Sequence, residues 1–138
     1  LFRSTVDEDV AFGSHLEPSE IDEALRLVGL DPPTFRHRRI DELSGGEQRR
    51  IVLAGVLVRH PRILVLDEPL AGLDQSSRNA LVDVLCRLRG ETDVATVMVT
   101  HDVAGADRLA ERALLIDTGQ ICADGPFAGT VAAGIGRR

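Results

Sequence analysis

Apolar positions along this chain first recur at helical spacing and then, past Pro61, also gather into short strand-like runs. From Ser19 to Val28, Ile21, Ala24, Leu25 and Val28 fall at helical spacing, and Gly29 follows as a C-terminal stop. DPP at 31–33 breaks the chain. LSGGE at 43–47 opens a second helix, expected to run to about Arg59 and to be stopped by Pro61. Its segment IVLAGVLV is apolar nearly all round, which predicts burial on most sides. After Pro61 the character of the chain changes. ILVL at 63–66 is a continuous apolar run too short for a helix, and it predicts a buried parallel strand ending in two acids. A helix is predicted over 76–89, with Leu81, Val84, Leu85 and Leu88 along one face, and VATVMVT at 94–100 is β-branched and strand-like. Asp102 to about Arg112 reads as helix and ALLID at 113–117 as strand, and Thr118–Gly119 turns the chain into ICADG. Strand, helix, strand, helix, strand is an α/β pattern, with right-handed crossovers expected. Residues 1–18 carry no assignable pattern, and the Gly/Ala-rich tail from Ala128 is expected to fray.

Composition narrows this picture. The 138 residues are 43% hydrophobic, enough for one core but hardly for two. With 3% aromatics and no Trp or Tyr, that core must rest on Leu, Val, Ile and Ala. A net charge of −6 argues against non-specific nucleic-acid binding, which needs a basic surface. Arg36–Arg39 is the local exception, read as a solvated turn, with contact to a partner as the alternative. No apolar run approaches the ~20 residues of a membrane span, and there is no secretory signal. Cys86 and Cys122 lack metal-ligand spacing and read as reduced core residues of a cytosolic protein, and the four histidines form no ligand pair. The first residue is Leu, so the chain is expected to be a piece of something longer.

Three places carry candidate chemistry. Ser44 with Glu47 three residues on is a capping box, yet Gly45 and Gly46 fill the first turn, where each costs about 0.8–1 kcal/mol relative to Ala. A capped helix tip binds phosphate, and glycines would let the phosphate reach the backbone; a tight helix–helix crossing is the alternative. At the end of ILVL, Asp67-Glu68 suits a metal-binding Asp followed by a Glu that orients and deprotonates water. Taken singly, Asp67 could cap a helix and Glu68 could lie on the surface. His101, in Thr100-His101-Asp102, ends the next strand on the same edge, where parallel sheets gather ligands.

LSGGE, ILVLDEP, AGLD at 71–74 and VTHD at 99–102, in this order and spacing, resemble the ATP-binding cassette (ABC) ATPases across essentially the whole chain. TVDEDVAFG and RIVLAGVLVRHPRILVLDEPLAGLD are similar to the ATPases of energy-coupling-factor transporters, which take up cobalt, nickel, other metal ions or vitamins. The resemblance implies a P-loop NTPase fold, here incomplete: residues 1–60 as the helical subdomain with its signature helix, and 61–138 as the C-terminal part of the RecA-like, parallel-sheet core. It implies that Ser44, Gly45, Gly46 and Glu47 contact ATP bound on the opposite subunit. Asp67 would hold Mg²⁺, usually through water, and Glu68 would be the catalytic base. Asp74 would communicate across the dimer, or cap the 76–89 helix, or both, and His101 would contact the γ-phosphate. Glu47 stands where Gln is commoner. The implied partners are a second ABC subunit, identical or not, and an integral membrane transport subunit, with the chain cytoplasmic and peripheral at the inner face of the membrane.

The departures matter as well. GxxxxGK[ST] and the family's Q-loop glutamine are absent from these residues, and Leu70 and Gln75 replace residues that are often Thr or Ser and Pro. The last two are expected to be harmless. The first implies truncation, an inactive fragment with an exposed strand edge and apolar faces, and poor solubility or self-association. Two other readings compete: a genuine short, non-catalytic cassette lending its signature helix to a full-length partner, and a non-transport relative. The latter needs long coiled coils, and no sustained heptads occur here.

Overall fold

Thr5 opens the first helix in the computed structural model, which describes residues 4–135: Glu8 reaches back to the Thr5 N–H, and α1 (Val6–Val10) follows. The unassigned start of the chain thus holds a single helical turn, too short to show a period. α2 (Pro18–Leu27) has Pro at its first position and stops at Gly29, whose φ is +69°. Asp31-Pro32-Pro33 does not simply break the chain. Asp31 accepts from the Thr34 N–H, and two prolines, harmless where N–H groups are unbonded anyway, begin α3 (Pro32–Phe35).

The basic turn after α3 is internally paired. Arg36 meets Asp22, His37 meets Asp7, Arg39 meets Asp41, and Arg38 lies over the Phe35 ring. A 3₁₀ turn (Ile40–Glu42) leads into α4 (Gly45–Leu57), after which His60 adopts φ +50° just before Pro61. α4 is buried through Ile51, Leu53, Ala54 and Leu57 but not on most sides: Val52 is 63% exposed and Val56 39%. The apolar circumference predicted more covering than α1, α2 and α5 supply.

β1 (Ile63–Asp67), α5 (Gln75–Glu91) and β2 (Ala95–Val99) form the α/β unit, with β1 and β2 parallel and Val65 opposite Val97. The expectation of a buried strand is corrected. Leu64 is buried, but Ile63, Val65, Val97 and Val99 on the other face are each more than half exposed. One face turns to the core shared with α5, and nothing among the described residues crosses the other. The apolar faces expected of an incomplete sheet are present.

α6 (Val103–Ala106) is far shorter than the predicted helix to Arg112. The carbonyls of Arg108 and Leu109, which a continuing helix would use, are taken by the Cys86 Sγ and the Arg89 guanidinium of α5, at 3.6 and 3.2 Å. β3 (Arg112–Asp117) does not join the parallel sheet. It pairs antiparallel with β4 (Gln120–Pro126) through Thr118 and Gly119, whose φ values of +46° and +77° suit a two-residue hairpin. The tail does not fray from Ala128: α7 (Phe127–Ile135) packs on this hairpin with Thr130 buried. Cys86 and Cys122 are free and half-buried rather than core residues.

One cluster of buried side chains runs from Val6 to Leu88. Leu25, Ile51 and Leu70 are at most 2% exposed, and each is worth about 1.5–3 kcal/mol of burial. That core fixes the N-terminus of α4 beside the N-terminus of α5 and the strand ends. Among the described residues, no helix is long and apolar enough to cross a membrane.

Candidate functional site

The carboxyl end of β1 is where the backbone departs from ordinary geometry. Glu68 has φ +44°, the left-handed region, and such a position costs a non-glycine residue about 1–3 kcal/mol. Three hydrogen bonds hold the turn. The Glu68 N–H donates to the Val99 carbonyl (2.8 Å), the Ala71 N–H donates to the Glu68 carbonyl (3.1 Å), and the Arg49 guanidinium donates to the Pro69 carbonyl (2.7 Å).

The strained turn carries the Glu68 carboxylate across to the end of β2. Its Oε1 accepts from the His101 N–H (3.1 Å) and lies 2.7 Å from His101 Nδ1, and its Oε2 accepts from the Thr100 hydroxyl (3.1 Å). An ionised carboxylate only accepts, so Nδ1 carries the proton in this contact. These bonds, the His101 side chain first and Thr100 among the others, favour the charged form and outweigh partial desolvation, so Glu68 titrates below the ordinary carboxylate range. Two of the residues singled out from sequence, Glu68 and His101, are therefore in contact.

A cavity of about 410 Å³ opens beside them, lined by Leu70, Gly72, Arg78 and Asp102 among others. Arg78 pairs with Asp102, and Asp102 caps α6 through the Gly105 N–H. Leu70 has a structural use: it is buried, and its Cδ1 occupies the space beside Gly105 where a Cβ would otherwise project. Asp67 is exposed and does not line this cavity; alternation puts it on the bare face of the sheet with Val65. A carboxylate so exposed, beside a second one already bonded, fits the chemistry of Mg²⁺, which takes one or two protein carboxylates and fills the rest with water and phosphate oxygens.

Ser44 to Glu47 form the capping box that their spacing predicts. The Glu47 N–H donates to the Ser44 hydroxyl (3.2 Å), and the Ser44 N–H donates to Glu47 Oε2 (2.8 Å). The first-turn N–H groups of Gly45 and Gly46 have no intrahelical acceptor. The two glycines differ in surroundings. Nothing lies within 4 Å of where a Gly45 Cβ would stand, but a Gly46 Cβ would sit 2.5 Å from Ser77 Cβ in α5. The helix crossing weighed from sequence thus accounts for Gly46, and Gly45 faces open space. Asp74 caps α5 through the same Ser77, accepting from its N–H (2.9 Å) and its hydroxyl (2.7 Å). The N-termini of α4 and α5 therefore meet at one residue.

Sequence reasoning missed Thr100 and Arg49 as parts of this arrangement. Thr100 had a signal, a hydroxyl one residue before His101 at a strand end. Arg49 had none, because its contact spans 20 positions.

The lowered acids set a pH dependence. Glu47, through its bond from the Ser44 N–H first, Glu68, through His101 first, and Asp74, through the Ser77 N–H first, all titrate below their ordinary values in the fold. Between folded and unfolded values the unfolded chain binds more protons. These groups therefore stabilise fully above about pH 4 to 5, and that stability is lost as pH falls through the lowered values. The urea midpoint should hold from pH 7 to about 5 and drop below about 4. A midpoint that stays flat down to pH 3 would contradict it.

Comparison with known proteins adds the following. The family model described as ABC transporter matches residues 2–71, half of the chain. The energy-coupling factor transporter ATP-binding protein EcfA2 of Lactiplantibacillus plantarum is 42% identical over 132 residues, 91% of this chain and 44% of that protein. CbiO1 from Clostridium perfringens, part of the ABC transporter complex cbiONQ, superposes with TM-score 0.85 at 27% identity, covering 97% of this chain and 55% of that one. The dimeric ATP-binding cassette MJ0796 bound to ADP and Pi superposes with TM-score 0.72 at 26% identity, covering 89% and 56%. The chain spans about half the length, or less, of the curated relatives it matches.

Proposed function

The chain belongs to the ABC transporter family, and from that membership we propose that it forms the hydrolytic edge of an ATPase that drives an importer of metal ions or vitamins. The observation that carries this reading is the contact between Glu68 and His101 at the adjoining ends of two parallel strands, with Glu68 in left-handed backbone. Strain of that kind persists where the surroundings over-determine it, and it gathers at reacting sites.

A carboxylate has about four acceptor sites, and three donors reach Glu68, two on Oε1 and one on Oε2. The open site, on Oε2, is where a water O–H would donate. The same bonds that keep Glu68 ionised lower its proton affinity, so it orients the water at least as much as it deprotonates it. Asp67 would hold Mg²⁺, which supplies neutralisation of phosphate charge when bound. His101 steadies Glu68 through Nδ1, and its exposed ring would be free to meet the γ-phosphate.

Ser44, Gly45, Gly46 and Glu47 bring a helix tip of positive polarity, and Gly45 leaves room for a phosphate to approach. On this reading that nucleotide is held by a second cassette, and Asp74 carries the signal between the two. The dimeric form of MJ0796 supports this arrangement. Residues 1–60 act as the helical subdomain and 61–138 as part of the RecA-like core, with a membrane transport subunit as partner. The naming of EcfA2 and CbiO1 supports the energy-coupling type.

The test is cross-linking in a complete cassette. With a photoreactive ATP, label should reach Ser44 of one subunit only when ATP is held by the other. Label that never reaches the α4 tip sinks the reading.

A further inference from the structure

One side chain joins the two halves of this site. Arg49 lies on α4, five residues beyond the Ser44 cap, and its half-buried guanidinium donates to the Pro69 carbonyl at 2.7 Å. A bond from a charged donor at that length is at the strong end of its class. The other two restraints on the turn are backbone bonds made by Glu68, one to Val99 of β2 and one from Ala71 within the turn; of the three, Arg49 is the one that ties the turn to α4, and it does so through a side chain.

Its placement is specific. Fixing the Pro69 carbonyl fixes the peptide plane that follows Pro69, one residue after the strained Glu68, whose φ of +44° directs its carboxylate to His101 and Thr100. A second contact, Gly46 against Ser77, ties the same helix to the first turn of α5. The helix whose tip would meet a nucleotide and the turn that carries the base are thus mechanically one piece.

We propose that Arg49 is a positioning residue. It holds Glu68 in its left-handed turn and so makes the aim of the base depend on where α4 stands. This rests on the reading of Glu68 above, and the test separates the two. A cassette is completed by placing the preceding part of the Lactiplantibacillus plantarum EcfA2 relative before this chain, and ATPase activity is measured for the parent, Arg49→Ala and Arg49→Lys.

Arg49→Ala should lower kcat by roughly tenfold to a hundredfold, the range a misaimed catalytic group costs, while KM for ATP stays within about twofold. Arg49→Lys, which keeps a cationic donor, should recover most of the rate. In hydrogen exchange of the 138-residue chain, Arg49→Ala should speed the Ala71 and His101 amides, both bonded to Glu68, and leave those in the middle of α5 unchanged. An inactive parent defeats the functional reading. An active parent with an equally fast Arg49→Ala variant defeats this inference alone, as does faster exchange throughout α4 and α5 or a Lys variant no better than Ala.

Discussion

Glu68→Gln in a completed cassette is expected to abolish steady-state ATP hydrolysis while leaving ATP-dependent dimers intact. The substitution is nearly isosteric, and the amide oxygen can still accept from one of the donors that now reach the carboxylate. What it removes is the negative charge and the capacity to take a proton. General-base catalysis contributes about 10²–10⁴-fold, so the residual rate should fall by that factor. On the proposed reading the triphosphate bridges two subunits, so dimers should persist, or strengthen, when hydrolysis no longer opens the sandwich. Gel filtration with ATP and a phosphate-release assay on the same protein check both halves. Undiminished hydrolysis would remove Glu68 from the mechanism, and loss of dimers would make it a structural residue.

Gly46→Ala should destabilise the chain by about 1–3 kcal/mol, the usual cost of overpacking. The sign is informative. Helix propensity alone favours Ala over Gly by about 0.8–1 kcal/mol, so a position free of neighbours would gain stability. A Cβ here would stand 2.5 Å from both the Cβ and the Oγ of Ser77. The Cβ of Ser77 moves only with the α5 backbone, so α4 and α5 must separate. Ser77→Gly should relieve the clash in the double variant, although it loses the hydroxyl bond to Asp74 and adds a helical glycine of its own. Denaturant midpoints of the four proteins in this cycle give the coupling between the two positions. If Gly46→Ala raises the midpoint, the crossing is looser than the structure has it. At Gly45, where space is open, the same change should stabilise, and any loss of hydrolysis there would speak for contact with the nucleotide instead.

Much of this is legible in the sequence itself. Helical spacing located α2 and α5, a capping box, an apolar run and Pro61 located α4, and short apolar or β-branched runs located β1 and β2. Ser44, Glu47 and Asp74 announced their caps by spacing, since a cap is a contact within three residues. Glu68 and His101 could be brought to one edge by strand topology alone. What failed did so where long-range contacts decided the outcome. The helix predicted from Asp102 stops early because α5 takes the carbonyls of Arg108 and Leu109. ALLID is a strand, but its partner is the next segment rather than the parallel pair, a choice that strand propensity does not encode. Burial of β1 was overestimated because an apolar run reports what a strand could bury, whereas Ile63 and Val65 show what is available to bury it.

The Ile63, Val65, Val97 and Val99 face sets more than solubility. Left uncovered in solution, a patch of branched aliphatics on an open sheet is a nucleus for clumping, so dilution rather than a firmer core is what keeps these residues dispersed.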